Sequence, residues 1–132
     1  MEAYAAIVER QGGEFVLDNV SIEDPRDGEV LVKVAAAGMC HTDLTVRDQY
    51  YPTPLPAVLG HEGSGVVEKI GRGVSTVKPG DKVGLSFSYC GTCPSCLKGH
   101  QAYCPSLFPL NFMGRRLDGS TPITRNGEDV NA

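Results

Sequence analysis

No stretch of this 132-residue chain approaches the roughly 20 apolar residues that a membrane-spanning helix needs. Nor is there a cluster of Lys and Arg; Arg115-Arg116 is only a pair. With a net charge of −4, the surface suits neither nucleic acid nor an anionic membrane. The first ten residues, Met1-Glu2-Ala3-Tyr4-Ala5-Ala6-Ile7-Val8-Glu9-Arg10, lack the basic start and long apolar core of a secretion signal. These absences together point to the cytoplasm, where thiols stay reduced and clustered cysteines usually hold metal. No internal repeat or low-complexity segment interrupts the chain, and its length suffices for one domain with a real core.

Cysteine is what the sequence does have, and four of its five cysteines fall in one stretch. Cys90, Cys93, Cys96 and Cys104 are spaced so that a single loop can fold over one cation and present every sulfur to it. Four thiolates fill a tetrahedral zinc shell and leave no position for water or substrate, which marks such a site as structural. Gly91 and Gly99 allow tight turning, while Pro94 and Pro105 stiffen the loop. Two disulfides would strain cysteines so close in sequence. An iron–sulfur cluster is the sharper rival, although the last spacing is too long for a ferredoxin run, and a colourless protein excludes it. The fifth cysteine, Cys40, is left over as a working thiol.

The first half reads as short strands separated by turns. Ala3–Val8 and Glu14–Leu17 flank a Gln11-Gly12-Gly13 hairpin signal, and Val30–Val34 follows the turn cluster Asp24–Glu29. Ala35–Gly38 reads as a small, flexible link. Further strands are expected at Gly63–Ile70 and Lys82–Leu85, with turns at Gly71-Arg72-Gly73 and Lys78–Asp81. Only Thr42–Gln49 reads as helical, with Thr42 or a neighbour as its cap. The expected class is mainly β, a barrel or sandwich with one or two short helices. Residues 114–132 are polar and turn-rich, through Asp118-Gly119 and Asn126-Gly127, and are expected to be poorly ordered.

Cys40-His41-Thr42-Asp43 and Gly60-His61-Glu62-Gly63 each sit on a loop anchored by a strand. A thiolate and an imidazole are the right donors for a second zinc, but each alone is more often an ordinary core or structural residue. The glycines around His61-Glu62 favour a crowded site.

These motifs, followed by Gly71-x-Gly73-Val74, Lys78-x-Gly80-Asp81-x-Val83 and the four-cysteine lobe, occur in the order found in zinc-dependent medium-chain alcohol dehydrogenases. Over residues 1 to about 120 the chain resembles that family's N-terminal catalytic domain, most like the aryl or benzyl alcohol branch. The resemblance implies a GroES-like, partly open β-barrel with a structural zinc lobe at 88–106. It also implies that Cys40 and His61 are two of three catalytic zinc ligands, the family's third being a cysteine this chain lacks. Glu62 matches an acid that can approach the metal, Thr42 the residue that starts proton relay, and Asp43 the carboxylate that orients His61. His41 stands where relatives contact cofactor phosphate, and a relay histidine of some relatives is replaced by Thr45.

No Gly-x-Gly-x-x-Gly lies between a strand and a helix, so the Rossmann domain that binds NAD or NADP is absent from this chain. The expectation is a domain-sized portion of an oxidoreductase acting on a small-molecule alcohol or aldehyde, inactive by itself, from a family whose members are usually homo-oligomers. The competing expectation is a non-catalytic zinc module that serves folding or association.

Overall fold

The computed structural model describes every residue from Met1 to Ala132. The chain folds into two antiparallel sheets, curled into a half-barrel. Strands β1 (Glu2–Val8), β2 (Phe15–Ile22), β4 (Ala57–Val58), β7 (Ile123–Arg125) and β8 (Glu128–Val130) form the first, in the order β4-β1-β2-β7-β8. The second, in the order β3-β5-β6, contains β3 (Val30–Ala37), β5 (Gly63–Ile70) and β6 (Lys82–Gly84). Three short helices are inserted: α1 (His41–Arg47), α2 (Pro94–Leu97) and α3 (Leu107–Phe112), with a 3-10 turn at Gln101–Tyr103. That is one helix more than expected, because the cysteine lobe and the apolar run behind it each wind into a turn or two.

The β1–β2 hairpin pairs in strict register from Glu2 with Ser21 to Val8 with Phe15, and Gly12 turns it at φ 66°. β2 runs beyond the expected Leu17 because the polar pair Asp18-Asn19 still pairs through backbone with Ala5 and Tyr4. β3 likewise continues through Ala35–Ala37, the expected flexible link. Ala36 and Ala37 pair with Ser64 and Gly63, and backbone pairing needs no large side chain. Of the β3 apolar residues it is Leu31 that is buried, whereas Val34 stays exposed.

Ile7, Val20, Ile123 and Val130 make the main core, with Ala3, Ala5, Ile22 and Val58 packed against them. Two of these four residues come from the stretch expected to be poorly ordered, and that expectation is corrected here. Asn126 and Gly127, both at positive φ, turn a hairpin that pairs Ile123 with Val130. β7 then pairs Ile123 with Ile22 of β2. The strands are too short for an alternating pattern to register, yet their two apolar residues are enough to fill the core.

Asn131 completes the first sheet. It bridges Ala57 in parallel, its carbonyl accepting from Val58 N–H at 2.8 Å and its N–H donating to the Pro56 carbonyl at 3.0 Å. Its side chain also donates to the Pro56 carbonyl at 2.9 Å, and Arg115 Nε donates to its Oδ1 at 2.7 Å. The five strands therefore close into a ring.

Arg116, in the same segment, grips Glu29 at the start of β3 through two guanidinium nitrogens, one of them 2.8 Å from Glu29 Oε2. This contact, aided by the Arg26 N–H, holds the Glu29 carboxyl below its ordinary value of 4.5. A carboxyl depressed by folding stabilises the fold above the unfolded pKa, and that contribution is lost as pH falls through the folded value. Unfolding measured between pH 5 and 2 is accordingly expected to be less steeply acid-sensitive in Glu29→Gln; an unchanged acid limb would exclude this role.

Candidate metal centres

The lobe between β6 and α3 brings together the Sγ atoms of Cys90, Cys93, Cys96 and Cys104, all within 4.8 Å of one another. None of the five cysteines is in a disulfide. Gly91 and Gly99 take positive φ, as the tight turns require. Pro94 opens α2 at a position needing no amide donor, and the Cys93 side chain caps it by accepting Cys96 N–H at 3.5 Å. Backbone donors also point at sulfur elsewhere: Cys93 N–H at Cys90 Sγ and Cys90 N–H at Cys104 Sγ, each 3.4 Å.

This pattern favours negative sulfur. Backbone N–H groups of Thr92 and Cys93 bring the Cys90 thiol down to about 6. Cys96, chiefly through burial and then through neighbouring Cys93, is pushed up to about 12. The lobe thus supports a first thiolate and resists further negative charge, a resistance that a divalent cation removes. Four sulfurs at this spacing, with amide donors around them, fit tetrahedral zinc.

A second group assembles where the β3–β5 pairing ends. Ala37 pairs with Gly63, so the loop after β3, carrying Cys40, meets the loop before β5, carrying His61 and Glu62. Ligand atoms of these three residues lie within 4.8 Å of one another. Cys40 occupies the cap position of α1, the role expected of Thr42 or a neighbour, and the helix starts at His41 and ends at Arg47. One oxygen of Asp43 accepts Cys40 N–H at 3.1 Å; the other lies 3.5 Å from His61 Nδ1. Asp43 therefore fastens the helix start and faces the imidazole at once, which leaves His61 Nε2 on the side of Glu62, 4.0 Å from Oε1.

Cys40 Sγ lies 3.4 Å from Thr42 Oγ1. The Thr42 hydroxyl first, then its backbone N–H and His61, lower the Cys40 thiol pKa from its ordinary 9.0. His41 is exposed and stands outside this ligand group. Thr45 turns its hydroxyl back onto the His41 carbonyl at 3.1 Å, away from any relay.

Sequence reasoning missed an aromatic row beside the second group. Phe87 stacks on His61 with centroids 5.6 Å apart, Phe112 on Phe87 at 6.2 Å, and Phe108 on Phe112 at 5.2 Å. Tyr51 meets Phe112 edge-on at 5.4 Å. Phe87 sits between β6 and the cysteines in an apolar alternation, but no local pattern could place α3 against it.

The curled β half-barrel thus carries two ligand groups, four sulfurs in one lobe and Cys40, His61 and Glu62 at the end of the β3–β5 pairing, each able to hold a metal ion. The chain belongs to the alcohol dehydrogenase GroES-like domain family, whose model matches residues 26–124. It is 47% identical over 131 residues to geraniol dehydrogenase of Castellaniella defragrans, covering 98% of this chain and 35% of that protein. Among solved structures it is similar to an alcohol dehydrogenase zinc-binding domain protein from Burkholderia ambifaria, with a TM-score of 0.98, 51% identity and coverage of 99% and 36% of the two chains. The benzyl alcohol dehydrogenase of Acinetobacter calcoaceticus gives a TM-score of 0.93 at 49% identity, covering 99% and 35%. The chain spans about a third of the length of the relatives it matches. No helix is long and apolar enough to cross a membrane.

Proposed function

We propose that this chain is the catalytic-domain portion of a zinc-dependent, nicotinamide-linked oxidoreductase that interconverts primary alcohols, aromatic ones included, with their aldehydes. The observation that carries this reading is the convergence of Cys40, His61 and Glu62 beside Thr42 and Asp43. Cys90, Cys93, Cys96 and Cys104 hold the structural zinc of the 88–106 lobe, and a cytoplasmic setting would keep all five thiols reduced. NAD or NADP would be bound mainly by residues outside this chain, since nothing here forms a dinucleotide loop, and His41, exposed at the head of α1, would contact it.

Zinc at the second group would supply Lewis acidity toward an alcohol oxygen. The rest falls to the chain's own side chains. Thr42 Oγ1, beside Cys40 Sγ, accepts a hydrogen bond from the hydroxyl of an alcohol brought to the site and so orients that hydroxyl for deprotonation. Asp43 fixes the imidazole so that Nε2 is the free donor. Phe87 stacks on that ring with centroids 5.6 Å apart and helps fix its orientation.

Metal analysis of the purified chain tests this. Two zinc ions per chain are expected, with Cys40→Ser leaving one; a single zinc in the unaltered chain would favour a non-catalytic module. The chain by itself is expected to give no steady NADH formation from benzyl alcohol and NAD, and sustained turnover would overturn that.

A further inference from the structure

Gly38 is a glycine whose backbone does not explain it. It is not among the glycines at positive φ, so its conformation is open to any residue. What its missing side chain provides is room. A Cβ there would overlap Glu62 Oε2 and lie 3.0 Å from Glu62 Cβ and 3.3 Å from Cδ. The Gly38 N–H also donates to the Glu62 carbonyl at 2.6 Å, so the two residues are held face to face. One carboxylate oxygen thus rests against Gly38 while the other is turned to His61 Nε2.

We infer that Gly38 is a positioning residue: the space it leaves seats the Glu62 carboxylate across the end of β3 and keeps it within ligating reach of a cation held by Cys40 and His61. The inference rests on the second metal site proposed above. Glu62 is half exposed at its side chain, and a free glutamate there would sweep many rotamers into solvent. Filling the slot with a methyl group pushes the carboxylate outward and returns it to that ensemble, without touching Cys40, His61 or any charge. Loss of a group that holds a metal ligand in place typically weakens affinity about 10- to 100-fold.

The test is titration of the zinc-loaded lobe protein with cobalt(II), read by the thiolate-to-cobalt absorption band, which reports Cys40, and by competition with a chromophoric chelator. Gly38→Ala is expected to weaken cobalt binding about 10- to 100-fold, and Glu62→Ala to weaken it similarly. In the double variant Gly38→Ala/Glu62→Ala, binding is expected to be no weaker than in Glu62→Ala alone, because the methyl group no longer displaces a ligand. Equal affinity of Gly38→Ala and the unaltered chain, or independent losses multiplying in the double variant, would overturn the inference while leaving the metal site standing. Absence of any cobalt–thiolate band in the unaltered chain would overturn the site itself. Circular dichroism and retained lobe zinc report folding; a Gly38→Ala chain that cannot fold would place the role of this glycine in the backbone and also overturn the inference.

Discussion

Replacing Cys96 by serine is expected to remove one zinc per chain and to unfold the 88–106 lobe locally. Cys96 is buried, its Sγ lies 3.9 Å from that of Cys90, and its own N–H helps cap α2 through Cys93. Serine preserves the shape, but its hydroxyl does not ionise near neutral pH and cannot replace a thiolate. The lobe has little else to hold it, since Leu97 and Tyr103 are exposed and only Cys96 and Cys104 are buried there. Structural zinc sites in small peptides supply about 10–16 kcal/mol of apparent binding free energy at pH 7, which in such a loop is folding free energy. Limited proteolysis should therefore cut the variant within 88–106 while the sheet stays intact. Since the cysteine thiols must lose their protons to bind zinc, chelators should strip the unaltered lobe more readily as pH falls. An unchanged zinc content in Cys96→Ser would remove the tetrathiolate assignment.

Ile7→Ala should cost about 2–5 kcal/mol of stability, toward the upper end of the range for buried aliphatics that the surroundings cannot refill. Ile7 is wholly buried and packs with Val20, Ile123 and Val130, each on a different strand of the closed ring. Those strands are hydrogen-bonded to one another on both sides, so none can slide inward to fill the void. Urea unfolding should show a lower midpoint at unchanged slope. Zinc content should stay the same, because no residue of either metal group belongs to this core. A loss under about 1 kcal/mol would mean that the ring relaxes as ordinary cores do not.

The lobe was legible in the sequence because its geometry is local: four sulfurs within one short loop need no partner from elsewhere. β5 was legible for the same kind of reason, with turn glycines bounding an apolar run. The pairing of Cys40 with His61 was not a matter of spacing. It depends on where the β3–β5 register ends; donor type alone offered the pair, and the resemblance to a family gave it weight. Residues 123–130 escaped notice because three-residue strands carry too few side chains to show a period; their order comes from β2 and from the ring closure. Gly38 was hidden too, since a glycine chosen for space looks in sequence like one chosen for its backbone.

The bridge from Asn131 to Ala57 works as a clasp, and its position in the chain sets a timetable for folding. The hairpin of β1 and β2 can form as soon as it is made, but Ile7 has no lid until Val130 exists and the hoop snaps shut on Asn131. A nascent chain paused after the cysteine lobe would already carry all four clustered sulfurs while its main apolar interior still lay open to water and to chaperones.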